Sequence, residues 1–142
     1  AGLDRRQVYL TNVVKHRLPD GHELQPDEIR ACADYLTRQI AAINPMVIVT
    51  LGRYSLARFF PTGKISRIHG QAKLHHGRIV VAMYNPAAAL HREELHQTVV
   101  DDFARALPAA LAEARRLAAE GKLGRSPDHP DEGESPQQLS LF

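Results

Sequence analysis

Continuous apolar runs alternate with one-sided apolar spacings along this chain. Residues 8–12, 46–51 and 79–84 are short runs rich in β-branched and aromatic residues, which predicts strands. The apolar residues of Pro26–Ile43 recur at intervals of three and four, which predicts an amphipathic helix ended by Pro45. The run 46–51 has the pattern of a strand buried on both faces. Strands separated by helices predict a mainly parallel sheet covered on both sides.

The later elements follow the same alternation. A short helix is predicted to about Phe60, and a loop containing glycine and histidine then leads to the strand at 79–84. A final helix is predicted from near Glu93, and Pro108 either kinks it or starts a second segment. These elements place one domain over residues 1–120. The apolar stripe of the final helix consists of Leu95, Val99, Phe103, Leu107, Leu111 and Leu117.

The composition changes after residue 120. Glycine, proline, serine and acidic residues dominate residues 121–136, which predicts a disordered linker over 121–137. Three large apolar side chains then stand in the last five residues, Gln138-Leu139-Ser140-Leu141-Phe142. Because apolar side chains at the end of a polar tail gain nothing in water, residues 138–142 are expected to insert into a pocket of a partner.

Length and cysteine content limit the class of protein. The 142 residues, 44% of them apolar, are enough for one domain with a core. No apolar run has transmembrane length and no signal-peptide pattern is present, so we expect a cytoplasmic protein. The single cysteine, Cys32, excludes an internal disulfide. Because the chain starts at Ala1 and leads at once into a predicted strand, we expect the domain to lack an N-terminal part.

Positive charge is concentrated in the middle of the chain. The formal net charge is only +2, but no acidic residue stands between Asp34 and Glu93, while eight Lys or Arg and four His residues do. A one-signed surface attracts polyanions such as nucleic acid. An ordinary basic surface balanced by acidic helices elsewhere explains the same pattern equally well.

Two asparagines stand where predicted strands end, Asn12 and Asn85. Ligands of open α/β sheets bind beyond the carboxyl ends of the strands, and an amide carries a paired donor and acceptor that suits a nucleobase edge. Asparagine also terminates strands and turns where no ligand binds, and spacing alone leaves both interpretations open.

Four ordered blocks resemble family 4 uracil-DNA glycosylases. They are VYLTNVVK at 8–15, EIRAC at 28–32, PMVIVTLG at 45–52 and NPAAAL at 85–90, and the resemblance covers residues 2–107. It implies a DNA repair enzyme that hydrolyses the N-glycosidic bond of uracil in DNA. The implied fold is a three-layer α/β/α sandwich around a mainly parallel four-stranded sheet, of which this chain is the C-terminal portion.

The resemblance assigns roles to the two asparagines. Asn12 matches the asparagine that reads uracil, and its amide can pair with both O4 and N3–H of the base. Asn85 matches the histidine of a His-Pro-Ala-Ala motif, whose donor stabilises the negative charge that develops on uracil O2. Asparagine is a departure from that motif, although related mismatch-specific glycosylases have Asn-Pro at this point.

The resemblance also implies DNA contacts. One loop, with an apolar wedge followed by cations, suits unstacking of the helix and phosphate binding. A second loop faces the backbone through a weaker motif, and a lysine at a predicted strand end lies near a phosphate or is merely solvated. The residues concerned are Leu90, His91 and Arg92, then Arg67 and His69, and finally Lys15.

A four-iron, four-sulfur cluster is the cofactor that the resemblance implies. Its third and fourth ligands fall at His16 and Cys32, with histidine in place of the commoner cysteine. Histidine ligates iron in Rieske centres. The other two ligands fall in the part of the family pattern that precedes this chain. Alternatively, Cys32 only packs the apolar face of its helix.

Several family features lie outside the segment that matches. The Gly-Glu-x-Pro-Gly block that positions water, the aromatic residue that stacks on uracil and two cluster cysteines all precede it. We therefore predict that the full-length parent excises uracil and that this 142-residue piece does not.

The C-terminal pentapeptide resembles the peptide by which bacterial repair proteins bind the β sliding clamp. Leu141 and Phe142 would fill the pocket of the clamp, Leu139 would add apolar contact, and Gln138 would form a hydrogen bond at its rim.

We expect the protein to be a monomer. Two other classes stay open: a catalytically degenerate, clamp-tethered DNA-binding module, and a nucleotide-binding protein, for which no Gly-rich phosphate loop is present.

Overall fold

The computed structural model describes residues 1–124 in full and residues 137–139 as backbone. Residues 125–136 of the predicted linker and 140–142 of the predicted clamp peptide lie outside the described residues. The chain divides into two compact units, Leu3–Asn44 on its own and Pro45–Phe142 together with Ala1–Gly2. Within the described part, no helix is long and apolar enough to cross a membrane.

The first unit contains a 3-10 turn, Arg5–Gln7, and the helix α1, Pro26–Ile43. Helix α1 has the predicted bounds. Proline suits its first position, and the Glu28 carboxylate accepts the Gln25 N–H at 2.8 Å, which satisfies a donor at the helix start. The helix ends at Asn44, whose φ of 48° is left-handed.

Residues 8–12 do not form the predicted strand. Their backbone pairs with no strand in the described part of the chain, and Tyr9 and Leu10 are 58% and 70% exposed. A strand is stable only when its N–H and C=O groups have ladder partners. The apolar pattern of the segment is therefore present without the pairing that would bury it.

The second unit is built around a sheet with the strand order β1-β3-β2-β4. The strands are β1 Val47–Leu51, β2 Ala72–His75, β3 Arg78–Met83 and β4 Gln137–Leu139. Strand β1 runs parallel to β3, whereas β2 is antiparallel to both β3 and β4. The expected α/β fold is confirmed, but among the described residues only one strand pairing is parallel.

Strand β2 falls in the segment that was predicted as a loop. It joins β3 through a two-residue turn in which His76 and Gly77 have φ values of 46° and 69°. A type I′ hairpin turn has positive φ at both central residues, and a direct two-residue connection makes the paired strands antiparallel. This hairpin is the reason that the sheet is less parallel than predicted.

Strand β3 forms the centre of the core, since all six of its residues are buried. Strand β1 lies at the edge of the sheet, and only Thr50 of its residues is buried, so burial on both faces was wrong. The last helix, α5 (His96–Ala119), packs on β3 and continues through Pro108 as one helix rather than two. The helices of this unit are α2 Arg53–Phe59, α3 Ile65–Ile68, α4 Pro86–Ala89 and α5 His96–Ala119, with a 3-10 turn at Glu93–Leu95.

Candidate functional site

Asn85 lies exposed two residues beyond the end of β3, where it caps α4. The Ala87 N–H donates to Asn85 Oδ1 at 3.0 Å. That bond uses the acceptor end of the amide and fixes its orientation. The NH2 end has no hydrogen-bond partner among the described residues. Asn85 therefore presents a fixed, neutral donor at the carboxyl end of the central strand.

Gly52 provides the room for Asn85. It directly follows β1, and its N–H donates to the Met83 carbonyl at 2.9 Å, so the ends of the two parallel strands meet here. A Cβ at Gly52 would lie 3.2 Å from Asn85 Cβ, and the Gly52 φ of 83° also disfavours a side chain. The turn predicted at this glycine is thus part of the site.

His69 also lies near the end of β3, just after α3. Its Nδ1 is 2.9 Å from Asp102 Oδ2, and its ring centroid is 5.1 Å from that of Tyr84, the residue before Asn85. The Gly70 N–H, next in the chain, donates to a β3 carbonyl, that of Ala82, at 2.8 Å. The structure thus brings two predicted site residues, His69 and Asn85, to the same end of β3.

Leu90 follows α4 and is 82% exposed. His91 and Arg92 are exposed beside it, and Arg92 Nε lies 3.7 Å from Glu94 Oε1 in a surface ion pair. A single helical turn thus separates the Asn85 amide from an apolar side chain in water. Such a side chain is available to contact a partner.

Arg67 on α3 lines a cavity of about 470 Å³. Lys64 and Lys73 line it too, and none of its lining residues within the described part of the chain is a carboxylate. Lys73 is buried, and its ammonium donates to the Phe59 carbonyl and lies 4.5 Å from the Phe60 ring centroid. Burial lowers the pKa of Lys73. A cavity lined by three cations and no anion favours a negatively charged ligand.

The basic stretch of the sequence does not form one continuous face. Lys73 and Arg78 are buried, and burial lowers the pKa of Arg78. Arg38 pairs with Asp34, with Nε and Oδ2 3.0 Å apart. The interpretation of this stretch as one cationic surface was therefore wrong, because the run of charges in sequence is divided between core and surface.

In the first unit, Asn12 is exposed and its backbone is held by Lys15. The ammonium of Lys15 donates to the Asn12 carbonyl at 2.6 Å and to Thr11 Oγ1 at 2.7 Å. Desolvation lowers the pKa of Lys15, against an opposing effect of the Cys32 thiol. The side-chain amide of Asn12 makes no hydrogen bond within the described residues, so both its donor and its acceptor are available.

The two predicted cluster ligands are neighbours. His16 Nδ1 lies 3.5 Å from Cys32 Sγ, and the Lys15 N–H donates to the same sulfur at 3.2 Å. Thiolate sulfur and imidazole nitrogen both suit iron-sulfur ligation, and an N–H donor stabilises a thiolate. The chemistry of these two donors would suit two of the four ligands of such a cluster. No group of three or more metal-ligating side chains exists among the described residues.

Glu28 joins two histidines next to these ligands. Its carboxylate lies 2.9 Å from His22 Nε2, and its Oε1 lies 3.9 Å from His16 Nε2. The Gln25 N–H bond, followed by the His22 bond, holds the pKa of Glu28 below its usual value of 4.5. The carboxylate is thus placed to orient His16 from the side opposite Nδ1.

Residues 1–109 match the model of the uracil DNA glycosylase superfamily. The chain belongs to this superfamily. It is 38% identical over 123 residues to the type-4 uracil-DNA glycosylase of Sulfurisphaera tokodaii, covering 80% of this chain and 56% of that protein. It is 40% identical over 111 residues to the Archaeoglobus fulgidus protein of the same name, covering 72% of this chain and 56% of that protein. It is 35% identical over 143 residues to that of Saccharolobus solfataricus, covering 94% of this chain and 65% of that protein.

This member of the superfamily spans between 56% and 65% of the length of those three relatives. The matched segment includes Asn12, His16, Cys32, His69 and Asn85. Residues 138–142, with the predicted clamp contacts of Gln138, Leu139, Leu141 and Phe142, lie beyond the match. The side chains of that pentapeptide are outside the described part of the structure.

Sequence reasoning missed two residues of this superfamily member that shape the site. Asp102 lies 33 positions from its partner His69, and no local pattern in the sequence signals such a pair. Glu28 was noted only as part of the EIRAC block. The spacing Gln25-x-x-Glu28, a capping-box pattern, was the signal that could have placed its carboxylate at the start of α1.

Proposed function

We propose that the full-length protein containing this chain hydrolyses the N-glycosidic bond of uracil in DNA. The orientation of Asn85 is the observation that carries this proposal. Its Oδ1 is fixed by the Ala87 N–H at 3.0 Å, so its NH2 is held as a donor at the end of β3. Membership of the uracil DNA glycosylase superfamily and the names of the type-4 relatives support the same activity.

Base flipping would come first, because a base inside a duplex cannot reach an active site. Leu90, exposed one turn after Asn85, would insert into the helix and take the space of the extruded nucleotide. The free amide of Asn12 would then accept N3–H and donate to O4 of uracil. Cytosine presents a donor where uracil presents O4, so the same amide would reject it.

Bond cleavage would then place negative charge on uracil. Water adds to C1′ of the deoxyribose and gives up a proton to solvent. The C1′–N1 bond breaks, its electron pair leaves with uracil, and the uracil anion then takes up a proton from solvent. The Asn85 NH2 would donate to O2 as that charge develops, with no reorganisation needed because α4 already holds the amide. The group that positions the water is predicted to lie outside this chain, so we propose that the 142-residue piece alone does not excise uracil.

DNA binding would use cations that the resemblance assigns to it. Arg67 borders the cavity described above, and Lys15, His69, His91 and Arg92 are the other predicted contacts. Phosphate neutralisation by such side chains makes binding salt-dependent. We expect Arg67→Ala to weaken binding uniformly across DNA sequences and to lower the salt slope by about one unit.

We further propose that His16 and Cys32 are two ligands of a four-iron, four-sulfur cluster in the full-length protein. Their separation of 3.5 Å and the N–H bond to the sulfur support this pairing. The cluster would cross-link the two segments that carry them, as a structural metal site does. Cys32→Ser should lower bound iron and visible absorbance, whereas His16→Cys should retain both. Unchanged iron in Cys32→Ser would contradict the assignment.

The tail is proposed to bind the bacterial β sliding clamp through Gln138, Leu139, Leu141 and Phe142. Clamp binding would require Gln138 and Leu139 to leave their backbone pairing with β2. A polar linker before it would supply reach and effective concentration at replicating DNA in the cytoplasm. Binding of the purified clamp should be lost in Leu141→Ala and Phe142→Ala and kept in the matched control Ser140→Ala. Equal binding by all three would remove this partner.

The full-length protein is also proposed to be a monomer, with the three-layer α/β/α sandwich completed around a four-stranded sheet. The exposed apolar residues Tyr9 and Leu10 support the completed sandwich, since they would be buried if residues 8–12 gained a strand partner. A crystal structure of the full-length protein in which 8–12 stay unpaired would contradict it.

Uracil release tests the activity with matched substrates. The full-length protein is incubated with oligonucleotides that carry one uracil, or one cytosine at the same place, and abasic sites are counted. We expect release from the uracil strand only, and its collapse in Asn12→Ala and in Asn85→Ala. Retained DNA binding without release would instead favour a catalytically degenerate DNA-binding module, an alternative suggested by the neutral Asn85 in the histidine position.

A further inference from the structure

One side-chain pair connects residues 69–70, which follow α3, to helix α5. His69 Nδ1 lies 2.9 Å from Asp102 Oδ2, and the Asp102 side chain is only 12% exposed. The backbone beside this pair is also fixed, because the Gly70 N–H donates to the Ala82 carbonyl at 2.8 Å. The pair therefore joins the C-terminal end of α3 to α5 next to the end of β3.

The carboxylate also fits closely against the backbone of the loop. A Cβ at Gly70 would lie 2.9 Å from Asp102 Oδ1, and Gly70 has a φ of 74°. Only glycine combines that conformation with so small a volume. A largely buried carboxylate that loses its donor is costly, so the position of His69 and that of the loop are coupled through Asp102.

We propose that Asp102 is a positioning residue for DNA binding, which acts by holding His69 and thereby the segment of α3. That segment carries Lys64 and Arg67, two of the three cations around the cavity. Cations in a fixed arrangement bind phosphates without the entropic cost of ordering them first. The inference rests on the proposed action on DNA and adds to it the residue that sets the position of the segment that carries Lys64 and Arg67.

The test compares three variants of the full-length protein. Asp102→Asn removes the charge from the pair. Asp101→Asn is the matched control, since it removes the neighbouring carboxylate of α5, which accepts a hydrogen bond from Gln97 instead. Arg67→Ala removes a cation of the segment that the pair is proposed to hold. The two readouts are affinity for an undamaged oligonucleotide by fluorescence anisotropy, measured over a series of salt concentrations, and hydrogen exchange of the Gly70 amide without DNA.

We expect Asp102→Asn to weaken DNA binding about fivefold and to speed Gly70 exchange about tenfold, and Asp101→Asn to change neither. Asp102→Asn should also lower the salt dependence of binding in the same direction as Arg67→Ala, an effect that a merely space-filling role would not give.

The outcomes separate this inference from the proposed function. A wild-type protein that binds no DNA refutes the proposed function, and the inference with it. DNA binding and Gly70 exchange that are the same in Asp102→Asn as in Asp101→Asn overturn the inference alone. A salt dependence of binding in Asp102→Asn equal to that of the wild type also overturns it, because the cations of the segment would then be in place without the pair.

Discussion

Asn85 carries two separable roles, and substitution can remove them one at a time. Its Oδ1 accepts the Ala87 N–H at 3.0 Å as the cap of α4, and its NH2 is the donor proposed for uracil O2. Asn85→Ala removes both. Asn85→Asp keeps an oxygen for the cap but replaces the donor by a negative charge. The two variants therefore predict different patterns of stability and activity.

The magnitudes follow from these contacts. Loss of a helix cap costs about 1 kcal/mol, so Asn85→Ala should be less stable by about that amount. Loss of one preorganised donor to a developing oxyanion costs a factor of about 10² to 10³ in kcat. Asn85→Asp should be as stable as the wild type, because aspartate caps as well as asparagine, yet it should lose at least as much activity. Charge repulsion adds to the missing donor in that variant.

The assay is single-turnover release of uracil by the full-length protein, combined with denaturation of the same preparations. Asn85→His serves as the third variant, since it restores a side-chain N–H donor. We expect it to release uracil faster than Asn85→Asp. Release by Asn85→Asp at the wild-type rate, with unchanged stability, would refute the claim that the amide acts as a donor.

Three further predictions concern other parts of the molecule. Gly52→Ala should lower the free energy of unfolding by about 2–3 kcal/mol in denaturant titrations, because the Gly52 φ of 83° is strained for alanine and the added Cβ would press on Asn85. The control Gly21→Ala, at a φ of 75° in open space, should lower it by only about 1 kcal/mol. Equal losses would contradict the role of Gly52. Because the pKa of Glu28 in the folded protein is below 4.5, stability should be lost as the pH falls below that value. Glu28→Gln should already be less stable at neutral pH and should lose less stability in acid. Parallel curves of stability against pH for the two proteins would contradict this. Leu90→Ala should leave the melting temperature unchanged and slow uracil release from duplex more than from single-stranded DNA; equal slowing on both would exclude a wedge.

Helix α1 was predictable because every local signal agreed. Apolar spacing, a proline at the first position and a proline after the end all indicate Pro26–Ile43, and the structure has these bounds. Strand β2 was not predictable from the pattern of apolar residues, since Ala72–His75 has only four residues. It also contains a buried charge, because Lys73 is accommodated by the Phe59 carbonyl and the Phe60 ring, which no local pattern indicates.

The turn after β2 was missed for a related reason. Positive φ at both central positions is usually signalled by Asn-Gly or Asp-Gly, and here His76 takes the first of them. In the case of residues 8–12 the opposite error occurred. An apolar pattern predicted a strand, but the pairing of a strand depends on a partner that the pattern does not contain.

For the site, strand ends were the useful signal. The end of β3 marked Asn85, and Gly52 marked the end of β1, because parallel strands bring their carboxyl ends together. His16 and Cys32 came from the resemblance and lie 3.5 Å apart. Asp102 could not be found, since its contact with His69 exists only after α5 packs on the sheet.

The most direct test of the proposed uracil excision is chemical identification of the product. The full-length protein is mixed in excess with duplex DNA that carries one uracil, and the small-molecule fraction is analysed by mass spectrometry. The account predicts free uracil in an amount equal to that of the abasic sites formed. Asn12→Ala and Asn85→Ala should release uracil only at a small residual rate. Intact DNA after prolonged incubation, with the protein folded and bound to it, would contradict the proposed activity.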